Sequence, residues 1–404
     1  MKKTIKLRTI RDIRALRDKR VLLRIDANVP VKSGKVVDDF RLWSVKPTIE
    51  YLTGRGAVVV ILAHLGRPSG RNAALTLKPI AKRLAQILGR IVTFVPAVGG
   101  PAAEQALTSA VPGQVFMLEN LRFDRGEESN SGSFAKKLAA LGEVYVNDGF
   151  AVSHRADASV SAITRFLPSY AGLLMERELK ILDHARTKPK SPSVAMLGGA
   201  KIGTKIGLIK KLAAIYDHVL VGGGLVDPIL AARNFGVGAS LMEKVSPAQL
   251  APILKLKNLI LPVDVLIGDA AHPAAPVHVI PIATDTPFVI CRKPYGLVDI
   301  GPRTILAWAA IIRRAKTIVW NGPVGIFEVK RFSHGTMALA QMVASRSKGK
   351  ALGVVGGGET VEALYKTGMA QWVDHVSTGG GAMLEYLEGK VLPGVKPLYG
   401  KLRK

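Results

Sequence analysis

A repeated alternation of short apolar runs with helix-like segments constrains the fold of this chain more than any other feature. Each run ends in a polar or glycine-rich turn, and a segment with helical periodicity follows it. This order is typical of a parallel β-sheet whose strands are joined by helices. We therefore predict an α/β fold with doubly wound parallel sheets. The predicted strands are 21–25, 58–63, 115–118, 144–146, 194–197, 218–221, 259–261, 317–320, 351–355 and 375–377.

Ten strands are too many for one compact sheet of this kind, and 404 residues exceed what one hydrophobic core usually covers. The chain is therefore expected to form two domains. The break is predicted near residues 170–190, where 172–186 reads as an amphipathic helix and the loop TKPKSPS follows it. That helix would join the two domains.

Composition limits where the protein works. Cys291 is the single cysteine, so it forms no internal disulfide, which fits a reducing compartment. The basic N-terminal stretch lacks the apolar segment of a signal peptide. The longest apolar run, 57–63, is far below the ~18 residues that would span a bilayer. We expect a cytoplasmic protein that does not enter a membrane.

The formal net charge of +27 leaves three interpretations open. They are a solvated basic surface, electrostatic steering of anionic substrates, and nucleic-acid binding. The basic residues are scattered and no compact nucleic-acid motif is present. No specific nucleic-acid partner is therefore expected.

Cationic and hydrogen-bonding side chains follow the predicted strands of the first half. In a parallel sheet, residues just past the carboxyl ends of the strands gather along one edge. Guanidinium groups bind carboxylate and phosphate oxygens bidentately, although any one of these arginines could be a surface ion-pair residue. The sequence predicts a site for a small, multiply charged anion. Its candidate residues are Asp26, Asn28, Arg41, His64, Arg67, Arg122 and Arg155.

In the second half of the chain, glycines and lysines follow the predicted strands. Glycine lets a ligand approach the backbone, and the N–H groups at a helix start attract phosphate, so a nucleotide site is predicted. Neither the P-loop pattern nor G-x-G-x-x-G is present, and this argues against a dinucleotide oxidoreductase. The motifs are Gly198–Lys205, Gly222–Gly224, Asn321–Gly325 with Glu328, Gly356–Thr360 and Ser377–Gly381.

Two side-chain roles are predicted at this site. Lys201 and Lys205 are spaced i, i+4, so at a helix start they would face the same way and meet phosphate oxygens; a solvated lysine pair is the alternative. Glu359 follows a glycine triplet and is the best-placed carboxylate for a nucleotide-bound Mg²⁺. Its alternative role is that of an acid favoured at a helix N-terminus.

Together these motifs resemble those of the phosphoglycerate kinase family. The matching stretches run in the family's order from about residue 9 to about 396. HLGRP, WNGPVG and STGGGA in one chain are highly specific, and RIDANVP, LENLRF, NDGFAVSHRA, LGGAK and VGGGET accompany them.

The resemblance implies reversible, Mg²⁺-dependent phosphoryl transfer between 1,3-bisphosphoglycerate with ADP and 3-phosphoglycerate with ATP. It implies a monomer with an acid-substrate domain (1–171), an interdomain helix (172–188) and a nucleotide domain (189–382) that close about a hinge. A final segment (383–404) would pack back on the first domain. The implied nucleotide set is Gly199, Lys201, Lys205, Gly222, Gly223, Asn321, Pro323 and Glu328, with Glu328 on the ribose, beside Gly357, Gly358, Glu359 and Thr360.

Direct in-line transfer needs cations and N–H dipoles around the migrating group, and no covalent nucleophile. Our hypothesis assigns this role to Arg41, Lys201, Mg²⁺ and the N–H groups of Gly379, Gly380 and Gly381.

The chain departs from the family mainly in its nucleotide half. The family usually has Asp at Glu359 and at Thr204, and an Ala-aromatic-Thr run at Val226-Asp227-Pro228; Phe is usual at Ala27. These departures leave open the alternative that the protein is a catalytically weakened relative that mainly binds nucleotides. The charge leaves open a nucleic-acid-binding side role.

Overall fold

The computed structural model describes residues 6–282 and 286–400 and divides into two units. The first holds residues 6–180 and 391–400, and the second holds 181–390. One division falls inside the helix Leu173–Thr187 and the other between Lys390 and Val391. The domain limits given above, after 171, 188 and 382, stay predictions, and residues 1–5 and 401–404 lie outside the described residues.

The first unit is built on a six-stranded parallel sheet. Its strands are nearly continuous apolar runs because both faces are covered. In strand Val58–Leu62, Val59 and Ile61 pack into one hydrophobic cluster, while the alternate residues pack into another. In spatial order the strands are Val92–Val95, Val115–Leu118, Val58–Leu62, Arg20–Arg24, Val144–Asn147 and Ser169–Ala171.

Helices and smaller elements complete this unit. Strand Tyr399–Gly400 pairs antiparallel with Lys6–Leu7, so the end of the described chain joins its beginning. The Asn147 amide donates to the Gly394 carbonyl at 2.9 Å, which fixes the returning segment. A hairpin joins Val31–Lys32 to Lys35–Val36. The helices are Phe40–Gly54, Lys78–Leu88, Pro101–Ala106, Arg125–Glu128 and Gly132–Ala139.

The second unit repeats the parallel plan and adds a smaller antiparallel sheet. In spatial order the parallel strands are Leu259–Ile260, His218–Val221, Ser193–Leu197, Thr317–Asn321, Leu352–Gly356 and His375–Val376. Asp264–Gly268 lies between His278–Pro281 and Gly296–Ile300 in the antiparallel sheet, and Gly236–Val237 pairs with Val289–Cys291. The helices are Ile206–Ala213, Val226–Ala232, Pro247–Leu254, Pro302–Arg314, His334–Arg346, Gly358–Lys366 and Gly380–Glu388.

The two parallel sheets confirm the predicted α/β class, and each of the ten predicted strands is present within one or two residues. The edge strands Val92–Val95 and Ser169–Ala171 were not predicted; both are short, and two residues of the first are partly or fully exposed. The antiparallel sheet was also missed. Among the described residues no helix has the length and apolar character needed to cross a membrane.

Candidate functional site

Arg41 is held at the edge of the first sheet by the loop that follows strand Arg20–Arg24. Its guanidinium lies 2.7 Å from the carboxylate of Asp26, which is 5% exposed, and donates to the Asn28 carbonyl at 2.9 Å. The Asp26 carboxylate also accepts from the Asn28 N–H at 3.0 Å. Asp26 therefore orients Arg41, whose side chain remains 31% exposed.

The loop after strand Val58–Leu62 is fixed by amide side chains. Asn120 accepts from the Leu65 N–H at 3.2 Å and donates to the Leu65 carbonyl at 2.8 Å. The Asn28 side chain accepts from the Gly66 N–H at 2.9 Å, and Arg122 donates to the Gly66 carbonyl at 2.6 Å. Three strand ends are thus tied together around the predicted HLGRP motif.

His64 lies among several guanidinium groups. It is 1% exposed, and its Nδ1 lies 3.1 Å from Arg24. Burial holds the pKa of His64 well below 6.5, and the positive charges of Arg24, Arg122, Arg155 and Arg41 lower it further. The imidazole is therefore neutral at physiological pH, and its buried Nε2 has no hydrogen-bond partner in the described chain.

The four predicted arginines differ in placement. Arg122 is 6% exposed and lies 3.0 Å from Glu128, and Arg155 is half-buried. Burial lowers the pKa of Arg122, and the charge of Arg155 lowers it further, against the opposite effect of Glu128. The positive charges of Arg41, Arg122 and Arg155 all act on His64, whereas Arg67 is exposed in the HLGRP loop.

Arg24 was missed by the sequence analysis. It is fully buried and bonds the Ser159 hydroxyl at 2.8 Å, with its guanidinium 3.8 Å from the buried Glu127. A charged residue inside the apolar run RVLLRID was the available signal. Through its contact with His64 Nδ1, Arg24 helps to fix the orientation of the imidazole.

In the second unit, glycines bring the strand-end loops into backbone contact. A Cβ on Gly198 would lie 2.0 Å from the Pro323 carbonyl, and one on Gly322 would lie 2.2 Å from the Gly198 carbonyl. Gly322 also has φ +95°, which favours glycine. The Gly199 N–H donates to the Pro323 carbonyl and the Gly223 N–H to that of Val324. Only glycine permits this packing of three loops.

The expectation that Lys201 and Lys205 share one helix face is wrong. The helix begins at Ile206, so Lys201 lies in the preceding loop and is exposed, while Lys205 is 9% exposed. Lys205 Nζ donates to the Gly198 carbonyl. Burial lowers the pKa of Lys205 to about 8, against the opposite effect of Glu359. Thr204 fixes the loop by donating to the Lys201 carbonyl at 3.0 Å.

Two further loops contribute backbone and amide groups. The Gly322 N–H donates to the buried Thr360 hydroxyl at 2.6 Å, so Thr360 orients the turn after Asn321. The buried Asn321 Nδ2 has no hydrogen-bond partner among the described residues. Gly358 and Gly380 begin helices, and a Cβ on Gly380 would lie 3.0 Å from the Gly357 Cα.

A cavity of about 910 Å³ lies beside these loops within the second unit. Its lining includes five of the predicted nucleotide residues, namely Gly199, Gly223, Pro323, Glu328 and Glu359. Glu328 and Glu359 are exposed. Lys201, Lys205, Gly222, Asn321, Gly357, Gly358, Thr360, Gly379, Gly380 and Gly381 are not part of the lining.

The fold and these two groups of residues define an α/β phosphotransferase. The family model described as phosphoglycerate kinase matches residues 10–390. Phosphoglycerate kinase of Chloroflexus aggregans is 44% identical, covering 97% of this chain and 98% of that protein; that of Thermosipho africanus is 42% identical with the same coverage. The structure of phosphoglycerate kinase from Coxiella burnetii has a TM-score of 0.82 at 37% identity and covers 97% of this chain and 99% of that one. The Pyrococcus horikoshii phosphoglycerate kinase structure has a TM-score of 0.83 at 30% identity, covering 97% and 98%.

The chain belongs to the phosphoglycerate kinase family. Its activity is that of a phosphoglycerate kinase of glycolysis, with ATP and ADP as co-substrates.

Proposed function

We propose that this enzyme moves a phosphoryl group reversibly and directly between the carboxyl phosphate of 1,3-bisphosphoglycerate and the terminal phosphate of ADP. The P–O bond to the carboxylate breaks as a P–O bond to ADP forms, leaving 3-phosphoglycerate and ATP. The observation that carries the proposal is the cationic edge of the first unit, where Arg41 is held 2.7 Å from Asp26, Arg122 is bonded at 2.6 Å to the Gly66 carbonyl, and the charges of both act on His64. This concentration of positive charge suits a small phosphorylated acid.

The acid substrate would bind to the arginine groups of the first unit. Arg41 is oriented by Asp26 and still partly exposed, so it can meet an anion without losing its own support. Asn28 and Arg122 hold the Gly66 loop, which presents Arg67 outward. His64 would act as a neutral hydrogen-bonding group because its pKa lies far below 7.

The nucleotide would bind in the cavity of the second unit. Gly199 and Gly223 line it just after two strands, where the absence of a Cβ lets a phosphate approach the backbone closely. Lys205 lies beside Gly199 and supplies a positive charge. Glu328 lies on the lining as an exposed carboxylate, which suits the ribose hydroxyl groups.

Mg²⁺ is part of the proposal, and the residues present fit it. No group of three or more potential ligands occurs among the residues that the structure describes, which suits an ion bound mainly by substrate phosphates. Glu359 is an exposed carboxylate on the cavity lining and would provide the protein ligand. When bound, the ion would neutralise charge on the phosphate oxygens.

The migrating phosphoryl group would be stabilised by Arg41, Lys201 and backbone N–H groups of the Gly379–Gly381 loop. Gly380 and Gly381 lie in the first turn of the helix Gly380–Glu388, where N–H groups have no partner within the helix. The Gly379 N–H donates to the Ser377 hydroxyl at 3.3 Å, so this N–H is used for a hydrogen bond within the turn. Because Arg41 and Lys201 belong to different units, closure of the two is part of the proposal, as are a monomeric state and a cytoplasmic location.

A coupled assay with 3-phosphoglycerate, ATP and Mg²⁺ tests these roles. Arg41→Ala should lower turnover by orders of magnitude and leave ADP binding nearly unchanged, because Arg41 belongs to the acid site. Arg71→Ala is the matched control, since Arg71 is an exposed arginine of the same unit bonded to the Pro96 carbonyl. Normal turnover in Arg41→Ala would refute the assignment.

The same assay measures what the departures do. Glu359→Asp and Thr204→Asp restore the residues usual in the family. If the natural residues weaken catalysis, one or both variants will exceed the parent enzyme in kcat. Equal or lower rates in both variants would exclude a weakening by these two residues.

A further inference from the structure

Arg24 and His64 lie next to each other at the carboxyl edge of the first sheet. In the parallel pairing of strands Arg20–Arg24 and Val58–Leu62, Arg24 lies opposite Leu62, and the chain reaches His64 two residues later. The guanidinium Nη2 of Arg24 lies 3.1 Å from His64 Nδ1. Both side chains are buried, so the contact lies in the interior of the unit.

Three other groups hold the Arg24 guanidinium in place. Its Nε donates to the Ser159 hydroxyl at 2.8 Å, and its Nη1 donates to the Ile25 carbonyl. The Glu127 carboxylate lies 3.8 Å from Nη2. Because the guanidinium is planar and rigid, these contacts also set the direction in which Nη2 points. The contact with His64 is therefore made by a side chain whose position the protein interior fixes.

The contact between Arg24 and His64 can have only one polarity. A guanidinium group donates hydrogen bonds and accepts none, whereas a neutral imidazole has one donor nitrogen and one acceptor nitrogen. Burial and the surrounding positive charges keep His64 neutral by lowering its pKa. His64 Nδ1 is therefore the acceptor, and the ring hydrogen lies on Nε2. The opposite tautomer would place two N–H donors against each other.

We infer that Arg24 is a positioning residue that fixes the neutral His64 ring in the tautomer with its hydrogen on Nε2. This role rests on the acid site proposed for the first unit. His64 Nε2 has no hydrogen-bond partner within the part of the chain that the structure describes. A phosphate or carboxylate oxygen that reached Nε2 would meet a hydrogen in this tautomer and a repelling lone pair in the other. Arg24 thus makes His64 a neutral hydrogen-bond donor.

The charges around His64 favour a fixed neutral tautomer over a protonated ring. After burial, the positive charges of four arginines lower the pKa of His64, and they are Arg24, Arg122, Arg155 and Arg41. The nearby acids act on these arginines, and they are Glu127 beside Arg24, Glu128 and Asp157 beside Arg122, and Asp26 beside Arg41. Protonation would add a further positive charge to this group and would remove the acceptor at Nδ1.

Nitrogen NMR of the full chain, labelled with ¹⁵N-histidine, reports the tautomer directly, because protonated and unprotonated ring nitrogens differ in chemical shift. The chain has eight histidines, and the signals of His64 are those that disappear in His64→Gln. At neutral pH the natural enzyme should show a protonated Nε2 and an unprotonated Nδ1. A hydrogen on Nδ1, alone or together with one on Nε2, would overturn the inference.

Two variants separate the donor from the general stability of the unit. Arg24→Met alone would leave the buried Glu127 carboxylate uncompensated, so the donor is removed in Arg24→Met/Glu127→Gln. The ratio of the Nε2–H to the Nδ1–H tautomer should then fall by about tenfold or more, because a hydrogen bond from a charged donor is lost. Ser159→Ala is the matched control, since it removes another hydrogen bond of the same guanidinium and leaves the contact with His64.

Ser159→Ala should keep the tautomer ratio of the natural enzyme. An unchanged ratio in the double variant, or an equal change in Ser159→Ala, would show that the Arg24 donor does not set the tautomer.

The response to 3-phosphoglycerate tests the positioning role and the acid site separately. The KM for 3-phosphoglycerate should rise about two- to tenfold in the double variant, with the KM for ATP unchanged, because part of the rings no longer offer the Nε2 hydrogen. A changed tautomer with an unchanged KM would overturn the positioning role. If 3-phosphoglycerate does not shift the His64 signals of the natural enzyme, the proposed acid site is contradicted while the tautomer assignment stands.

Discussion

Replacing Arg24 should destabilise the first unit far more than replacing an exposed arginine. Arg24 and Glu127 are both fully buried, with 3.8 Å between guanidinium and carboxylate. Arg24→Met leaves the Glu127 carboxylate in the interior without its counter-charge. Breaking a buried pair from one side costs about 3–5 kcal/mol. The substitution also removes the bonds to Ser159 and His64.

The matched control is Arg83→Met. Arg83 lies 2.6 Å from Asp39, a shorter distance than that of the buried pair, but its side chain is 39% exposed. Water and mobile ions screen such a pair, and its loss should cost about 0–1 kcal/mol. The comparison therefore separates the effect of burial from that of distance.

Native-state hydrogen exchange measures the result on amides of strands Val58–Leu62 and Val115–Leu118, which report the unfolding of this unit. The double variant Arg24→Met/Glu127→Gln should recover at least about 1 kcal/mol, because it removes the uncompensated charge and keeps an acceptor for Ser159. If Arg24→Met costs no more than Arg83→Met, or if Glu127→Gln restores nothing, the reasoning is refuted.

Three other predictions concern single residues. Thr360→Val leaves the Gly322 N–H without its acceptor, so the free energy of unfolding measured by thermal denaturation should fall by about 1–3 kcal/mol. The KM for ATP should rise in the same variant. Thr360→Ser keeps the hydroxyl acceptor and should leave both values unchanged. Burial lowers the pKa of Lys205 from 10.5 to about 8, so the unfolded chain binds more protons between these pH values. Urea unfolding should therefore show the natural enzyme gaining stability over Lys205→Met as pH rises from 8 to 10, and parallel pH curves would contradict this. In Gly394→Ala the new Cβ would lie 2.6 Å from a methyl of Val160. The free energy of unfolding of the first unit, measured by amide hydrogen exchange, should therefore fall by about 1–3 kcal/mol. Unchanged protection from exchange would argue against a tight fit at this position.

The main features of the fold could be predicted because burial on both faces leaves a clear record in the sequence. Central strands such as Val58–Leu62 are continuous apolar runs bounded by turn residues. Edge strand Val92–Val95 has two of its four residues partly or fully exposed, and the polar Thr93 interrupts its apolar run, so the signal weakens. The antiparallel strand His278–Pro281 is mostly exposed and left almost no apolar pattern.

Part of the candidate site could be predicted because residues that follow the strands of a parallel sheet gather along one edge. Arg41, His64, Arg122 and Arg155 follow strand ends, and the structure brings them into one electrostatic group. The sequence alone did not show that Lys205 is buried and Lys201 exposed, because that depends on the helix starting only at Ile206.

The support of the site was harder to predict. Arg24 and Glu127 are 103 positions apart in the sequence, and their pairing depends on the complete packing of the unit. The same holds for Asp227, whose residue type was visible as a departure from the family. Its burial, with Oδ1 lacking a hydrogen-bond partner among the described residues, depends on how the surrounding loops fold.

The pairing of Lys6–Leu7 with Tyr399–Gly400 constrains biosynthesis. The first unit includes residues 391–400, so the ribosome must synthesise the whole second unit before the first unit can be completed. The second unit is one uninterrupted stretch, residues 181–390. A nascent chain can therefore complete its later half before its earlier half. Truncation after residue 390 would remove strand Tyr399–Gly400 from the first unit and leave the described residues of the second unit in place.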